Sequence, residues 1–388
     1  MSKLPLRRSW QFCDSMMKTD AIGLYVHIPF CLKKCAYCDF TSFPVCDFSR
    51  REQYIDELCK EIASYRSHNA TVDTVFFGGG TPSLLSGSEF SKISDTISNS
   101  FKIATNVEFT MEANPGTISR DNLSGYIECG VNRLSIGLQS IHENELKNLG
   151  RIHDYGDFLK SYTIARELGL TNINVDLMYG IPDQTIESFC TTLSNVISLN
   201  PDHLSVYGLI LEPGTPLHQC VDRLVLPNED EEVDMYYHAA EFLSGAGYEH
   251  YEISNYSKVQ KRCAHNLKYW HLNEYIGVGL SAHSFYRGKR YYNSSALNEY
   301  FSPIGKGYMC NTNEEFDQAF EYVMLGLRTA DGISLGEYEK QFGRNLVDGR
   351  AEMLTKLSDL GLITMRNDRL SLTERGFYVS NTILSELI

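Results

Sequence analysis

Three cysteines, Cys31, Cys35 and Cys38, lie within eight residues in the segment CLKKCAYC. Iron–sulfur clusters are held by cysteine thiolates, and a four-iron cluster ordinarily takes one thiolate per iron. One short loop could therefore bind three irons and leave the fourth iron for another molecule. An open zinc site is the alternative, although zinc commonly recruits two separated cysteine pairs, and the sequence contains no second C-x-x-C.

The other cysteines and the ends of the chain indicate a reducing compartment. The chain has 11 cysteines, an odd number, and residues 1–20 lack the apolar core of a secretory signal. No apolar run reaches the length of a membrane span. These features predict a cytoplasmic protein with reduced thiols, in which a metal site is favoured over disulfides.

The charge balance argues against nucleic acid as a partner. The chain carries 35 Lys and Arg residues against 49 Asp and Glu residues, a net charge of -14. Binding to a phosphate backbone needs a basic face, so we expect no nucleic-acid partner.

The elements that position the cysteines follow from hydrophobic periodicity. Six apolar, β-rich runs recur between residue 24 and about residue 210, and segments with helical periodicity separate them. The six runs are LYVHI, TVFFG, VEFTME, RLSIGLQS, NINVDLMYG and HLSVYGLI. Alternation of this kind predicts parallel strands with right-handed crossovers. Six units favour a partial (β/α)6 barrel, with a doubly wound α/β sheet as the alternative.

The polar signals fall at the predicted carboxyl ends of these strands. GGGTP follows the second run, Glu112 and Asn114 end the third, Gln139 ends the fourth, and Asp176 lies in the fifth. The carboxyl ends of barrel strands meet at one mouth. Features far apart in sequence would thus face the cysteine loop, although each alone is equally consistent with a turn or a cap.

The cysteine segment followed by GGGTP resembles the radical S-adenosylmethionine superfamily. The order of the motifs resembles, more narrowly, the oxygen-independent coproporphyrinogen III oxidase group, from residue 22 onward. The segments that carry this resemblance are YVHIPFC, FFGGGTPSLL, MEANPGT, GVNRLSIGLQS, LGRIH, NVDLMYGIP, YGLILEPGTPL and HNLKYW. The resemblance implies a [4Fe-4S] cluster on Cys31, Cys35 and Cys38, with S-adenosylmethionine at the open iron.

The resemblance also assigns residues to S-adenosylmethionine. Residues that match contacts to the first molecule are Tyr25, Tyr37, Gly79, Gly80, Thr81 and Glu112. Gln139, Arg151 and Asp176 match positions that bind a second molecule in the oxidases. The structural alternative for Arg151 is a surface ion pair, and for Asp176 it is a hydrogen-bonded polar group inside the barrel.

Two departures separate the chain from the oxidases. Those enzymes carry a further cysteine two positions after the third, where this chain has Phe40, and they have a longer segment before the first strand. Both departures point to the haem chaperone subfamily of the same group. Chaperone and enzyme remain the two classes, with coproporphyrinogen decarboxylation disfavoured. A zinc scaffold without radical chemistry is the third class.

The resemblance to the chaperones implies a haem contact at an H-N-x-x-Y-W motif, formed by His265, Asn266, Tyr269 and Trp270. A neutral imidazole can ligate haem iron, and Tyr and Trp offer flat apolar surface to a porphyrin. The competing ligands are His27, His153, His250 and His283. The resemblance further implies haem-accepting respiratory proteins and an electron donor as partners, and peripheral association with the membrane.

The sequence predicts four regions. These are an N-terminal extension (1–21), the barrel (22–250), a connecting region that contains the motif (251–310) and a winged-helix-like domain (311–388). The last region shows three helical patterns followed by two short strands around RNDR. It lacks a basic recognition helix, so we expect it to pack on the barrel or cover it.

Overall fold

A computed structural model of the chain describes residues 21–44, 48–301, 311–312 and 316–387. Of the predicted N-terminal extension, only Ala21 is among the described residues. Cys13, Cys46 and Cys310 also lie outside them. The division of the chain into four regions stays a prediction.

The described residues form 17 strands and 14 α-helices. The strands are β1 (Ile22–Ile28), β2 (Phe30–Cys31), β3 (Phe43–Pro44), β4 (Thr71–Gly79), β5 (Lys102–Ala113), β6 (Arg133–Gln139), β7 (Ile173–Tyr179), β8 (His203–Gly208), β9 (Glu249–Glu252), β10 (Asn255–Ser257), β11 (Tyr275–Val278), β12 (His283–Tyr286), β13 (Lys289–Tyr292), β14 (Asn311–Thr312), β15 (Ile333–Ser334), β16 (Ile363–Arg366) and β17 (Arg369–Leu372). The helices are α1 (Phe48–Ser64), α2 (Gly87–Ser100), α3 (Arg120–Glu128), α4 (Glu143–Asn148), α5 (Tyr155–Glu167), α6 (Ile186–Ser198), α7 (Glu229–Gly245), α8 (Ala264–Trp270), α9 (Leu297–Tyr300), α10 (Gln318–Gly326), α11 (Leu335–Phe342), α12 (Ala351–Asp359), α13 (Glu374–Tyr378) and α14 (Ser380–Leu387).

The six predicted strands form the centre of one large sheet. They are β1, β4, β5, β6, β7 and β8, and they pair in parallel in that order. A doubly wound sheet would reverse its strand order at a central strand. Here each strand lies beside the next one in the chain, so the α/β prediction of a partial (β/α)6 barrel is confirmed.

The strands alternate between an apolar and a polar face. In β6, Leu134, Ile136 and Leu138 are fully buried in the main hydrophobic core, whereas Arg133 and Ser135 line the interior cavity. Successive side chains of a strand point to opposite faces, so one strand serves both purposes. The apolar face packs against the helices, and the polar face forms the wall of the cavity.

The region predicted to connect the two domains extends the central sheet at both edges. β10 pairs antiparallel with β8, while β11 pairs parallel with β1 and continues into the antiparallel strands β12, β13 and β14. Because β11 adds a seventh parallel strand, its carboxyl end lies at the same edge as the cysteine loop.

The C-terminal region contains a three-stranded sheet, β15-β17-β16, with α10 to α14 around it. β16 and β17 form the predicted two-strand wing, with its turn at Asn367 and Asp368. This region packs on α7, where Tyr236 lies 5.2 Å from Tyr378 between ring centroids. His250 Nδ1 also lies 2.9 Å from Glu374 Oε1. The contacts place it beside the barrel.

Candidate functional site

The three cysteines lie on the wall of a cavity of about 650 Å³ at the carboxyl edge of the parallel strands. Cys31 is buried, and Cys35 and Cys38 are partly exposed. Within the described residues the cavity lining contains no fourth cysteine, and no three Cys, His, Asp or Glu side chains converge on one ion position.

The glycines of GGGTP allow the turn after β4 to approach the cysteine loop. Gly80 donates its N–H to the Ile28 carbonyl at 2.8 Å, and Thr81 donates to the Phe30 carbonyl at 2.7 Å. A Cβ on Gly80 would lie 2.7 Å from both carbonyl oxygens. Gly80 is therefore required by the packing of the chain itself, and it also lines the cavity.

Glu112 faces the cavity from the end of β5. Gly79 donates its N–H to Glu112 Oε2 at 3.2 Å. Burial and the negative charge of Asp176 raise the pKa of Glu112 to about 8. The carboxyl group is therefore largely protonated at neutral pH, and a positive charge placed beside it would favour its ionised form.

A chain of side-chain hydrogen bonds links the cavity wall to the cysteine loop. Arg151 Nη1 donates to Asn114 Oδ1 at 2.7 Å, and Asn114 Nδ2 donates to Thr81 Oγ1 at 2.8 Å. Thr81 Oγ1 in turn donates to Cys31 Sγ at 3.5 Å. Arg151 also donates to the Gly137 carbonyl at 3.0 Å. The structure therefore places Arg151 in the cavity wall, away from any surface ion pair.

Two polar atoms beside this series of hydrogen bonds have no partner among the described residues. They are Gln139 Oε1 and Arg151 Nε, and both residues line the cavity. The backbone of Gln139 is left-handed (φ 71°), which is uncommon for a residue other than glycine. Buried polar atoms are normally hydrogen-bonded. These two atoms mark positions where a bound molecule would supply the missing partner.

Arg133 is a cavity residue that the sequence analysis did not single out. It begins β6, is 2% exposed, and its Nε has no hydrogen-bond partner among the described residues. Burial lowers the pKa of Arg133, but the nearby charges of Cys263, Glu108 and Asp176 outweigh it and raise the pKa, so the charge is partly balanced within the chain. A hydrogen-bond acceptor on a molecule bound in the cavity would satisfy the unpartnered Nε. The signal was the period-two alternation from Arg133 to Ser135, Gly137 and Gln139, which puts all four on the cavity face.

Asp176 lies further inside, in β7, and is held by neighbouring polar groups. Asn174 Nδ2 donates to its Oδ1 at 2.7 Å, and Ser135 Oγ donates to its Oδ2 at 3.2 Å. Burial raises the pKa of Asp176, and these donors oppose that shift. Tyr25 and Tyr37 complete the cavity wall on the cysteine side. All nine residues assigned to S-adenosylmethionine except Thr81 line this cavity, and Thr81 bonds to Cys31.

The helix α8, which carries the H-N-x-x-Y-W motif, lies against the inner part of the cavity. His265 is 1% exposed, its Nδ1 lies 2.9 Å from Thr74 Oγ1, and its Nε2 lies 2.7 Å from Tyr269 Oη. Burial lowers the pKa of His265 to about 3. The imidazole is thus neutral, but an iron ligand here would have to break one of these two bonds. Asn266 and Tyr269 also line the cavity, whereas Trp270 does not.

The competing histidines lie in different places. His250 stacks on Tyr256 beside the C-terminal region. His153 Nε2 donates to the Leu138 carbonyl at 3.2 Å. His27 and His283 border a second groove beside the cysteine loop. The sequence could not separate these positions because it does not show which strand ends meet.

Comparisons with known proteins agree with this geometry. The family model of the radical SAM superfamily matches residues 25–196, and the model of the HemN C-terminal domain matches residues 314–379. A Bacillus subtilis (strain 168) protein named "Heme chaperone HemW" is 34% identical over 94% of this chain and 98% of that protein. The chain belongs to the HemW family.

Other relatives support this membership of the HemW family. The Escherichia coli (strain K12) protein of the same name is 42% identical over 69% of this chain and 71% of that protein. Among solved structures, coproporphyrinogen III oxidase (HemN) from Escherichia coli matches with a TM-score of 0.83 and 25% identity over 95% of this chain and 91% of that one. The family and the fold predicted from the sequence are therefore confirmed.

Membership of the radical SAM superfamily implies a [4Fe-4S] cluster and S-adenosylmethionine for a HemW-family chain. The donor set fits both, because three thiols line the cavity and two buried polar atoms of the same lining have no partner among the described residues. Across the described ranges, no helix has the length and apolar character needed to cross a membrane.

Proposed function

We propose that this HemW-family chain is a haem chaperone, which binds haem together with a [4Fe-4S] cluster and S-adenosylmethionine and passes the haem to respiratory haem proteins. The observation that carries the proposal is the end-to-end match to a protein named as a haem chaperone. Phe40 supports it, because this residue stands where the oxidases carry a further cysteine.

The proposed cofactor sites follow the geometry of the cavity. Cys31, Cys35 and Cys38 would hold three irons, and the cluster, when bound and reduced, supplies an electron that cleaves a carbon–sulfur bond of S-adenosylmethionine. Glu112 would accept a hydrogen bond from a cationic group of that molecule, since a nearby positive charge favours its ionised form. Tyr25, Tyr37, Gly79, Gly80 and Thr81 would form the remaining wall.

The pocket of a second S-adenosylmethionine is also proposed. Gln139 and Arg151 would bind it through their unpartnered atoms, and Asp176 would face it from β7. Arg133 would donate its Nε–H to an acceptor on a molecule bound in the cavity, because that atom has no partner among the described residues.

The exposed side chain of Phe40 offers a binding surface for an apolar ligand. The Phe40 side chain is 68% exposed and borders the cavity beside the cysteine loop. Burial of this aromatic side chain against a flat apolar molecule would lower the free energy, because apolar surface is removed from water. A porphyrin offers such a surface.

Coproporphyrinogen III oxidation is the second candidate function, and the similarity to HemN over nearly the whole chain favours it. In that reaction a 5'-deoxyadenosyl radical would lead to oxidative decarboxylation of coproporphyrinogen III to protoporphyrinogen IX. The retained residues Gln139, Arg151 and Asp176 would serve it equally well.

The two functions make opposite predictions for one assay. Anaerobically reconstituted protein, supplied with S-adenosylmethionine, a reductant and coproporphyrinogen III, should release no protoporphyrinogen above the background of a Cys35→Ser variant. Robust decarboxylation would overturn the chaperone proposal and establish the oxidase. Elemental analysis of the same sample should find iron and sulfide, and zinc without sulfide would identify the scaffold class.

Transfer partners complete the proposal. A haem chaperone that serves respiratory enzymes would need an electron donor for its cluster and would meet its acceptors at the membrane surface. Peripheral association with that surface, tested by co-sedimentation with anionic vesicles, is part of this proposal.

A further inference from the structure

The cysteine loop has an outer face as well as the inner face that lines the cavity. The outer face borders a small depression on the surface of the protein. Lys33, Cys35 and Arg151 line both the cavity and this depression, so they form the partition between the two spaces. The depression has a volume of about 20 Å³, which is too small for a ligand larger than a water molecule. A partner on this face would therefore be a macromolecule.

Two large apolar side chains are exposed at the border of the depression. Leu32 is 56% exposed and Ile152 is 59% exposed. A single exposed apolar residue is ordinary, but apolar side chains grouped on a surface mark positions where another protein binds. We define the outer patch as Leu32, Lys33, Lys34 and Ile152.

The charged side chains of the outer patch are basic. Lys33 is exposed, and Lys34 is half-buried with its Nζ donating to the Phe40 carbonyl at 2.9 Å. Among the described residues that border the depression, none is an aspartate or a glutamate. The chain as a whole carries a net charge of -14. The outer patch therefore differs in sign from the protein around it.

The acidic residues nearest to the patch in the sequence are directed elsewhere. Asp39 lines the cavity and not the depression, and Asp154 caps the N-terminus of α5. An acidic partner would be repelled by the net charge of the chain and attracted by Lys33 and Lys34. Complementary charge of this kind orients two proteins as they meet and raises the rate of association.

The loop that carries the outer patch is held in place from two sides. The N–H of Ala36 donates to the Leu149 carbonyl at 2.9 Å, and the N–H of Leu217 donates to the Ala36 carbonyl at 2.9 Å. A Cβ on Gly150 would lie 3.0 Å from the nitrogen of Ala36, so this contact is close. The patch consequently has a fixed position relative to Cys35, and a preformed surface loses less conformational entropy on binding.

We infer that the outer patch is the docking surface of a small acidic protein that delivers one electron to the cluster. The inference rests on the proposed function, in which the cluster must be reduced before S-adenosylmethionine is cleaved, and it names the partner's surface. In this step one electron leaves the reduced donor, which is thereby oxidised, and the cluster gains one negative charge. No covalent bond forms or breaks.

The size and place of the patch suit this partner. Electron-transfer encounters bury small interfaces, below about 1,200 Å² in total, because the donor must leave after each delivery. Two apolar side chains beside two lysines form a contact of that modest kind. Cys35 lines both faces of the loop, so a donor on the outer patch would be separated from this thiol only by the loop itself, without entering the cavity.

The test is the rate of cluster reduction in the anaerobically reconstituted full chain, followed by stopped-flow absorbance. The acidic donors are flavodoxin hydroquinone and reduced plant-type ferredoxin. We expect Lys33→Glu to lower the second-order rate constant about tenfold at low salt, and less at high salt, because salt screens the attraction. Lys102→Glu is the matched control and should react like wild type, because Lys102 is exposed at the start of β5, at the opposite edge of the sheet.

A second pair of variants tests the apolar part of the patch. Leu32→Gln should lower the rate constant several-fold at low and at high salt, because lost apolar contact is not screened. Val259→Gln is its control, since Val259 is 61% exposed and does not border the cavity or the depression. Calorimetry with oxidised flavodoxin gives a readout without electron transfer, and Lys33→Glu should weaken that affinity about tenfold.

Photoreduced deazaflavin separates docking from the cluster itself. This small reductant needs no docking surface, so it should reduce wild type, Lys33→Glu and Leu32→Gln at equal rates. Slower reduction of the variants by deazaflavin would overturn the inference, as would equal rates for Lys33→Glu and Lys102→Glu with both donor proteins. A wild-type chain that deazaflavin reduces and neither donor protein reduces would also overturn it.

Two further outcomes are distinguishable. If Leu32→Gln changes the oligomeric state in light scattering while its electron transfer is unchanged, the patch binds a second copy of the chain, and the inference is wrong. If deazaflavin reduces no cluster in the wild-type chain, the proposed function fails instead.

Discussion

Replacement of Asn114 by Ala breaks the hydrogen-bond chain between the cavity wall and the cysteine loop. Asn114 accepts from Arg151 Nη1 at 2.7 Å and donates to Thr81 Oγ1 at 2.8 Å, and Thr81 donates to Cys31. In the variant Arg151 keeps its bond to the Gly137 carbonyl at 3.0 Å but loses the acceptor that Asn114 provides. We expect S-adenosylmethionine to bind more weakly as a result.

The size of the effect follows from the lost bond. A hydrogen bond to a charged group contributes about 1.5–3 kcal/mol. A difference of about 1.4 kcal/mol is a tenfold change in affinity. If the whole contribution served to orient Arg151 toward the ligand, Asn114→Ala would weaken binding by roughly tenfold to a hundredfold.

Anaerobic calorimetry with S-adenosylmethionine measures this change on reconstituted protein. Asn114→Asp is the matched control that separates the two hydrogen bonds of Asn114. It keeps an acceptor for Arg151 and loses the donor to Thr81. It should retain most of the affinity, while altering the cluster spectrum through Cys31. An Asn114→Ala affinity within about twofold of wild type, in folded protein with full iron content, would refute the orienting role of this residue.

Three further predictions test the scaffold. Cys35→Ser, like Cys31→Ser and Cys38→Ser, should abolish the brown chromophore, and a retained four-iron signal by Mössbauer spectroscopy would contradict the cluster assignment. Gly80→Ala should lower the free energy of unfolding by about 1–3 kcal/mol, because the new Cβ would meet two backbone carbonyls at 2.7 Å. Gly87→Ala is the control and should not lower it, because the space around Gly87 is open. Equal chemical denaturation midpoints for the two variants would contradict this prediction. Burial raises the pKa of Glu61 from 4.5 to about 7. The free energy of unfolding should therefore fall as pH rises above about 4.5, and the loss should reach about 3 kcal/mol above pH 7. Glu61→Gln should therefore flatten the fall in unfolding free energy between pH 5 and 8, and identical pH profiles would show that the shift is absent.

The parallel core and its cysteine loop could be predicted because they depend on local signals. Each of the six parallel strands of the core carries its own apolar residues, and Cys31, Cys35 and Cys38 share one short loop. The polar ends of the strands, such as Glu112 and Gln139, then meet through the general geometry of parallel sheets.

The environment of the histidines could not be predicted, because it depends on long-range pairing. His265 Nδ1 forms a hydrogen bond with Thr74 Oγ1, which lies 191 positions away in the sequence. His283 reaches the cysteine loop because β11 pairs in parallel with β1, and nothing in the four residues of β11 specifies that partner. Arg133 differs from the histidines, because its strand carries a local signal and the period-two alternation of β6 alone places the residue on the cavity face.

The most direct test of the account is the stoichiometry of haem on the reconstituted chain. We predict saturable binding of one haem per chain in protein that also contains four irons and four sulfides from the cluster. The absence of saturable haem binding by that sample would contradict the account.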